Sequence, residues 1–170
     1  MANLVLRPEL EGDRPFLRRL YGSLRADELT MAVDWSVEQK EAFVDQQFDA
    51  QSRYYHQHYV GAEFFVIEAG GIPAGRLYLH HRPREIRLMD ISFVPEHRGR
   101  GYGSELLRGL FERGTREGKS VTIHVEKHNP ALRLYERLGF RQLADRGVYW
   151  LMEWIPPGRE SIAAGGAPLN

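Results

Sequence analysis

Six consecutive residues, Arg98-Gly99-Arg100-Gly101-Tyr102-Gly103, have the composition of an anion-binding turn. They lie between an apolar run at 88–94 and a segment that begins at Ser104, where apolar residues recur at helical spacing. The first turn of a helix has N–H groups without intrahelical acceptors and carries partial positive charge. Glycines let the main chain approach an anion closely, and the two arginines add mobile positive charge. The pattern predicts a phosphate-binding turn; an ordinary glycine-rich helix cap is the alternative.

The elements around this turn follow the order β-α-α-β-β-β-α-β-α-β-β, which predicts an α/β domain with a mixed sheet. Gly70-Gly71 separates two strand-like runs and predicts a hairpin. Strands at 85–94 and 120–126, joined by the helix after the glycine turn, form a right-handed βαβ unit and should be parallel. The other predicted strands are 3–7, 62–69, 73–80, 140–144 and 148–154. Further helices are predicted to begin at Asp13, at a capping box formed by Ser36 and Gln39, and at Asn129-Pro130. A connection without regular structure is predicted at 26–35.

Length and composition describe an ordinary globular protein. The 170 residues fit one domain, which we place at 1–155, and the small and helix-breaking residues of 156–170 predict a disordered tail. With 23 basic and 23 acidic residues the net charge is zero, so we expect no nucleic-acid partner. Cysteine is absent, which removes disulfides, thiolate metal sites and a cysteine nucleophile. We see no signal peptide and no membrane-length apolar run, and therefore expect a cytoplasmic protein without a membrane partner.

Two motifs together resemble those of a known family. The turn Arg98 to Gly103 matches an Arg/Gln-x-x-Gly-x-Gly/Ala signature that follows a fourth strand, and Leu134-Tyr135-Glu136-Arg137-Leu138-Gly139-Phe140 matches a second element one strand later. The chain thus resembles the GNAT superfamily of acyl-CoA-dependent N-acetyltransferases, specifically over residues 86–154. The resemblance implies a mixed, mostly antiparallel seven-stranded sheet with a central splayed pair of parallel strands, flanked by about four helices.

The resemblance also implies the reaction. Members of the family move an acetyl group from acetyl-CoA directly to a primary amine, without an acyl-enzyme. We expect no metal. The pantetheine arm would pair with the main chain of Ile91, Ser92 and Phe93, and an amide near Phe93 or Val94 would polarise the thioester carbonyl. The residues expected to bind the rest of the cofactor are Arg98, Gly99, Arg100, Gly101, Tyr102, Gly103 and Ser104 for the pyrophosphate, and Asn129.

Three side chains are candidates for proton transfer. Tyr135 takes the place of the family tyrosine, and its phenol would protonate the departing thiolate, although a packed core aromatic is the alternative. His124 lies in a strand where some members carry a glutamate base, and Asp90 is a carboxylate within an otherwise apolar strand. A water chain could replace a side-chain base. In the family an asparagine precedes the tyrosine by seven residues, whereas Asn129 precedes Tyr135 by six and would also serve as a helix cap.

Other functions remain open at this stage. The main alternative is an acyl-CoA-binding module without catalysis, acting as a sensor or a protein partner. A dinucleotide-binding oxidoreductase is disfavoured because Ser104 stands where the third glycine of that fingerprint belongs. The pairs His56-x-His58 and His80-His81 lack metal-ligand spacing. The acceptor is a small-molecule or peptide amine that the sequence does not name, and a homodimer is compatible with the pattern.

Overall fold

A computed structural model describes residues 3–166, 168 and 169, and these residues form seven strands and five α-helices. The strands are Leu4–Pro8 (β1), Glu63–Ala69 (β2), Ile72–His81 (β3), Glu85–Phe93 (β4), Ser120–Glu126 (β5), Arg141–Arg146 (β6) and Tyr149–Trp154 (β7). The helices are Arg14–Leu24 (α1), Ala26–Met31 (α2), Val37–His58 (α3), Tyr102–Glu117 (α4) and Leu132–Arg137 (α5). The strands form one sheet in the order β1-β2-β3-β4-β5-β7-β6, with β4 and β5 parallel, which confirms the predicted fold class.

The chain divides into two compact units, one formed by the residues up to Tyr78 together with Ile91–Arg100, and the other by Leu79–Asp90 and the residues from Gly101 onward. The single domain predicted over residues 1–155 stays a prediction. In the first unit, apolar residues four apart place Leu17 and Tyr21 of α1 on one helix face. They pack with Val44 and Phe48 of α3 and with Val66 of β2, and each of the five is at most 4% exposed.

The local signals in the first unit are confirmed where they are strong. Ser36 Oγ accepts from Gln39 N at 3.1 Å while the Gln39 side chain accepts from Ser36 N at 2.8 Å, so the capping box begins α3 as predicted. Asp13 also stands before α1 as predicted, but its carboxylate binds the Arg7 guanidinium at 2.7 Å instead of capping the helix. The connection predicted at 26–35 was wrong in part, because 26–31 form α2.

In the second unit, the parallel strands pair from Glu85 with Ser120 to Leu88 with Ile123. Helix α4 covers one face of this sheet and comes very close to it at Gly114, where a Cβ would lie 2.7 Å from Lys119 O. A glycine is required there because any side chain would push the helix away from the strand. The rings of Phe111 and Trp154 stack beside this contact with centroids 4.3 Å apart.

The residues after β7 form no helix or strand in the described part of the chain, yet some of them bind the second unit. The Glu153 carboxylate, in a residue that is 3% exposed, accepts from Ser161 Oγ at 2.6 Å and from Ile162 N at 2.9 Å. Arg84 donates to the carbonyl of Ile162 at 3.2 Å. The disordered tail predicted over 156–170 stays a prediction, although Ser161 and Ile162 of this segment are hydrogen-bonded to Glu153 of β7.

No helix of the described residues is long and apolar enough to cross a membrane.

Candidate active site

The glycine turn leads into α4, and the amides of its three glycines have no acceptor among the residues that the structure describes. Gly99 and Gly101 have φ of +70° and +79°, in the left-handed region that favours glycine. The helix begins with a hydrogen bond from Glu105 N to Gly101 O at 3.1 Å, and within the described residues no acceptor faces the amides of Gly99, Gly101 and Gly103. A Cβ at Gly99 or Gly101 would meet no described atom within 4 Å. The head of α4 therefore has the open space and the free donors that a diphosphate needs.

The two arginines of the turn differ in their surroundings. Arg98 Nε donates to Phe93 O at 2.9 Å, and its Nη2 donates to Ser23 Oγ at 3.1 Å. The Arg98 guanidinium therefore ties the end of β4 to α1 instead of supplying the mobile charge expected from the sequence. Arg100 is exposed, as mobile charge requires. Both arginines stay predicted pyrophosphate ligands, together with Tyr102 and Ser104 on the first turn of α4.

The end of β4 bears on the expected contact with the thioester. Val94 N donates to Ala74 O at 3.0 Å, so this amide already has an acceptor in β3, and its role at the thioester stays a prediction. The corresponding role of Phe93, and the pairing of Ile91 and Ser92 with a pantetheine arm, stay predictions. The described pairing of β4 with β5 covers only Glu85–Leu88, so the later residues of β4 lie beyond it.

Tyr135 and Asp90 lie close enough in the second unit to interact electrostatically. Tyr135 is 7% exposed, and its ring meets that of Phe140 edge-on at 5.7 Å. Burial, and then the negative charge of Asp90, raises the pKa of Tyr135 to about 12. The phenol is therefore protonated at neutral pH, as a proton donor must be. Packing in the core and a role in catalysis are compatible for this side chain.

His124 belongs to a different cluster. Its Nδ1 lies 3.4 Å from Arg87 Nη1, and since arginine can only donate, Nδ1 must be the acceptor. Arg87 is 2% exposed and also donates to Thr122 Oγ1 at 2.8 Å and to Glu85 Oε2 at 3.3 Å. More than a third of the His124 surface is exposed, yet the burial of the remainder, followed by the charges of Arg87 and other arginines, lowers the pKa of His124 to about 4.

The candidate bases therefore occupy different sides of the sheet. Alternation along β4 places Arg87 and Asp90 on opposite faces. His124 contacts Arg87, whereas the charge of Asp90 adds to the effect of burial in raising the pKa of Tyr135. Sequence reasoning missed Arg87, because a charged residue in a strand normally predicts a solvated face. Its only signal in the sequence was the alternation of the charged residues Glu85 and Arg87 with the apolar residues Ile86 and Leu88.

Asn129 is used locally. Its Oδ1 accepts from Ala131 N at 2.9 Å, and Leu132 N donates to its carbonyl at 3.0 Å, so Asn129 organises the turn before α5. These bonds use only the oxygens of Asn129, and a contact of its side chain with a cofactor stays a prediction. Among the described residues, no group of three His, Cys, Asp or Glu side chains is placed to hold a metal ion.

Several solved acetyltransferase structures share this fold. The PaiA N-acetyltransferase of Thermoplasma acidophilum, in complex with coenzyme A, is 18% identical with a TM-score of 0.67, covering 90% of this chain and 99% of that one. An acetyltransferase of Thermus thermophilus is 22% identical with a TM-score of 0.62 over 90% and 97% of the two chains. A chimeric spermidine N-acetyltransferase from Vibrio cholerae is 22% identical with a TM-score of 0.61 over 89% and 95%. At these identities the likeness concerns the fold alone.

No curated protein matches the sequence at a significant level. The model of the acetyltransferase (GNAT) family matches residues 29–140, and this segment contains both the glycine turn and the helix that carries Tyr135. Because the match spans more than half of the sequence, the chain belongs to the GNAT family of acetyltransferases.

Proposed function

We propose that this protein is an N-acetyltransferase that moves an acetyl group from acetyl-CoA directly to a primary amine. One observation carries the proposal: the amides of Gly99, Gly101 and Gly103 bind no protein acceptor among the described residues, and a Cβ at Gly99 or Gly101 would enter empty space. Protein structures rarely leave main-chain donors without a partner unless water or a ligand completes them. A diphosphate fits both the donors and the dipole at the head of α4.

The side chains of the second unit supply the proton transfers. In the reaction the amine nitrogen bonds to the thioester carbon, the C–S bond breaks, and one proton leaves the nitrogen while another reaches the sulfur. Tyr135 is the proposed donor to sulfur, because burial raises the pKa of its phenol to about 12 and so keeps it protonated at neutral pH. Solvent then restores the phenol.

Asp90 is the proposed acceptor of the amine proton, either directly or through a water. Its negative charge, after burial, contributes to the raised pKa of Tyr135, which supports a role beside the proposed donor. His124 is the weaker candidate, since its Nδ1 faces Arg87 and its pKa of about 4 makes it a poor base at neutral pH. The absence of cysteine agrees with direct transfer, because a thioester relay through the enzyme would lack its usual nucleophile.

The acceptor must be found by experiment. Purified protein is incubated with acetyl-CoA and a panel of amines, comprising a polyamine, a lysine peptide, a peptide with a free N-terminus and an aminoglycoside. Released CoA is followed with a thiol reagent, and acetylation is confirmed by the mass of the acceptor. Because the chain contains no cysteine, the protein itself gives no thiol background.

We expect amine-dependent thiol release with at least one class of acceptor, and its loss in Tyr135→Phe. Binding of acetyl-CoA without turnover on any amine would instead indicate a binding module. Absence of acetyl-CoA binding would overturn the proposal altogether. A cytoplasmic location and a homodimer stay predictions.

A further inference from the structure

Ser92 carries a buried hydroxyl without a hydrogen-bond partner. The residue is 8% exposed, and its Oγ has no hydrogen-bond partner among the described residues. Buried hydroxyls almost always have a partner, and removing one from water without compensation is unfavourable. An apolar residue of similar size, such as alanine, would fill this position without that penalty. The serine therefore suggests a polar partner that the folded chain does not itself supply.

The main chain at Ser92 is fixed by an unusually close approach to β3. A Cβ at Gly75 would lie 2.1 Å from Ser92 O and 2.9 Å from Cδ1 of Phe93. Gly75 is buried and does not have a positive φ, so an alanine would fit the backbone conformation and fail only through this contact. Ala74 O, one residue earlier, accepts from Val94 N at 3.0 Å. Gly75 thus allows β4 to lie at a position that no other residue type would permit.

We propose that the Ser92 hydroxyl hydrogen-bonds an amide of the pantetheine arm of acyl-CoA, and that Gly75 is the positioning residue that sets Ser92 in place. The inference rests on the proposed function and on the expectation from the sequence that this arm would lie along residues 91–93. It adds a side-chain contact to the main-chain pairing expected there. A hydroxyl can donate to an amide carbonyl or accept from an amide N–H, so either orientation of the arm completes it.

The first test compares the wild type with Ser92→Ala by calorimetric titration with CoA and with acetyl-CoA, alongside thermal unfolding. Both ligands contain the pantetheine arm, so we expect Kd to rise about 10-fold for each, the usual effect of losing one hydrogen bond. We also expect the unliganded variant to melt no lower than the wild type, because the lost hydroxyl had no partner. If Ser92 had only a structural role, Ser92→Ala would lower the melting temperature and would not selectively weaken the binding of CoA.

Three results would contradict the inference: unchanged Kd values, a loss confined to acetyl-CoA, which would place the contact at the thioester, or a lower melting temperature with unchanged binding. Wild-type protein that binds neither ligand would overturn the proposed function itself, which is a distinguishable outcome.

The second test measures whether Gly75 acts through Ser92. Gly75→Ala forces the two strands apart by at least about 0.9 Å, since real Cβ atoms essentially never approach within 3.0 Å. Gly12→Ala is the matched control, because a Cβ there would meet no described atom within 4 Å. We expect Gly75→Ala to raise the Kd for CoA by about 10-fold or more in the wild-type background. In the Ser92→Ala background the same substitution should raise the Kd by a much smaller factor. Independent, multiplying effects of the two changes would refute the positioning role.

Discussion

Substitution of Gly101 by alanine separates the strain of the glycine turn from its proposed function. Gly101 has φ of +79°, and a Cβ there would meet no described atom within 4 Å. An L-residue in the left-handed region costs about 1–2 kcal/mol, and nothing in the surrounding protein adds to that cost. For a chain of this size, 1 kcal/mol lowers the melting temperature by about 2–4 °C, so we expect a loss of about 2–8 °C.

Gly147 provides the matched control. It has φ of +78° and equally open surroundings, but it lies in the turn between β6 and β7. Gly147→Ala should therefore lose the same stability as Gly101→Ala. Only Gly101→Ala places a methyl group where the diphosphate would approach the main chain. Losing one hydrogen bond to a charged group costs about 1.5–3 kcal/mol, which corresponds to an increase in Kd of about 10- to 150-fold.

The assay is calorimetric titration of wild type and both variants with acetyl-CoA, with thermal unfolding of each. The expected result is equal destabilisation of the two variants and weakened binding in Gly101→Ala alone. Equal affinities in all three proteins would refute the reasoning, because they would show that nothing approaches the main chain at Gly101. Equally weakened binding in both variants would refute it too, since the effect would then follow general strain.

Three further predictions concern the second unit. Tyr135→Phe should lower kcat about 100-fold or more at pH 7 with little change in the KM for acetyl-CoA, as expected for a general acid, and steady-state rates with near-normal kcat would exclude this role. The unfolded chain takes up a proton at His124 near pH 6.5, whereas the folded chain does so only near pH 4, so the free energy of unfolding should decrease as the pH drops from 6.5 toward 4. Between pH 7 and pH 5 the melting temperature of His124→Gln should therefore decrease less than that of the wild type. Equal decreases would contradict this account of His124. Glu153→Ala removes the acceptor of Ser161 Oγ and Ile162 N and should cost about 1–3 kcal/mol. Differential scanning calorimetry should show a lower melting temperature than for the exposed control Glu160→Ala, and equal values would contradict the attachment of this segment.

Much of the fold could be predicted because its signals are local. The hairpin at Gly70-Gly71, the capping box at Ser36 and the stop at Gly118 each depend on a few neighbouring residues, and each is found. Helix α2 escaped prediction because it has no capping side chain and buries none of its residues, so it has no apolar stripe. The start of α5 was placed too early because Asn129 forms a turn of its own before the helix.

The candidate site was only partly predictable, for a similar reason. The glycine turn is contiguous in sequence, and its open amides follow from backbone conformation. The surroundings of His124 depend instead on which residue of β4 lies beside it, and the sequence does not give that register. Burial lowers the pKa of His124, and the pairing of Arg87 with Thr122 brings a buried guanidinium beside it that lowers the pKa further. The contact between Gly75 and Ser92 likewise depends on how two strands meet.

The most direct test of the account is an amide ¹H–¹⁵N spectrum of the labelled protein titrated with acetyl-CoA. If the head of α4 binds the diphosphate, the amides of residues 99–104 should show the largest shifts, and the shifts should saturate with the affinity measured by calorimetry. The same amides should respond to CoA, which carries the same diphosphate. Unmoved amides at 99–104, with saturable shifts elsewhere in the chain, would contradict the central claim.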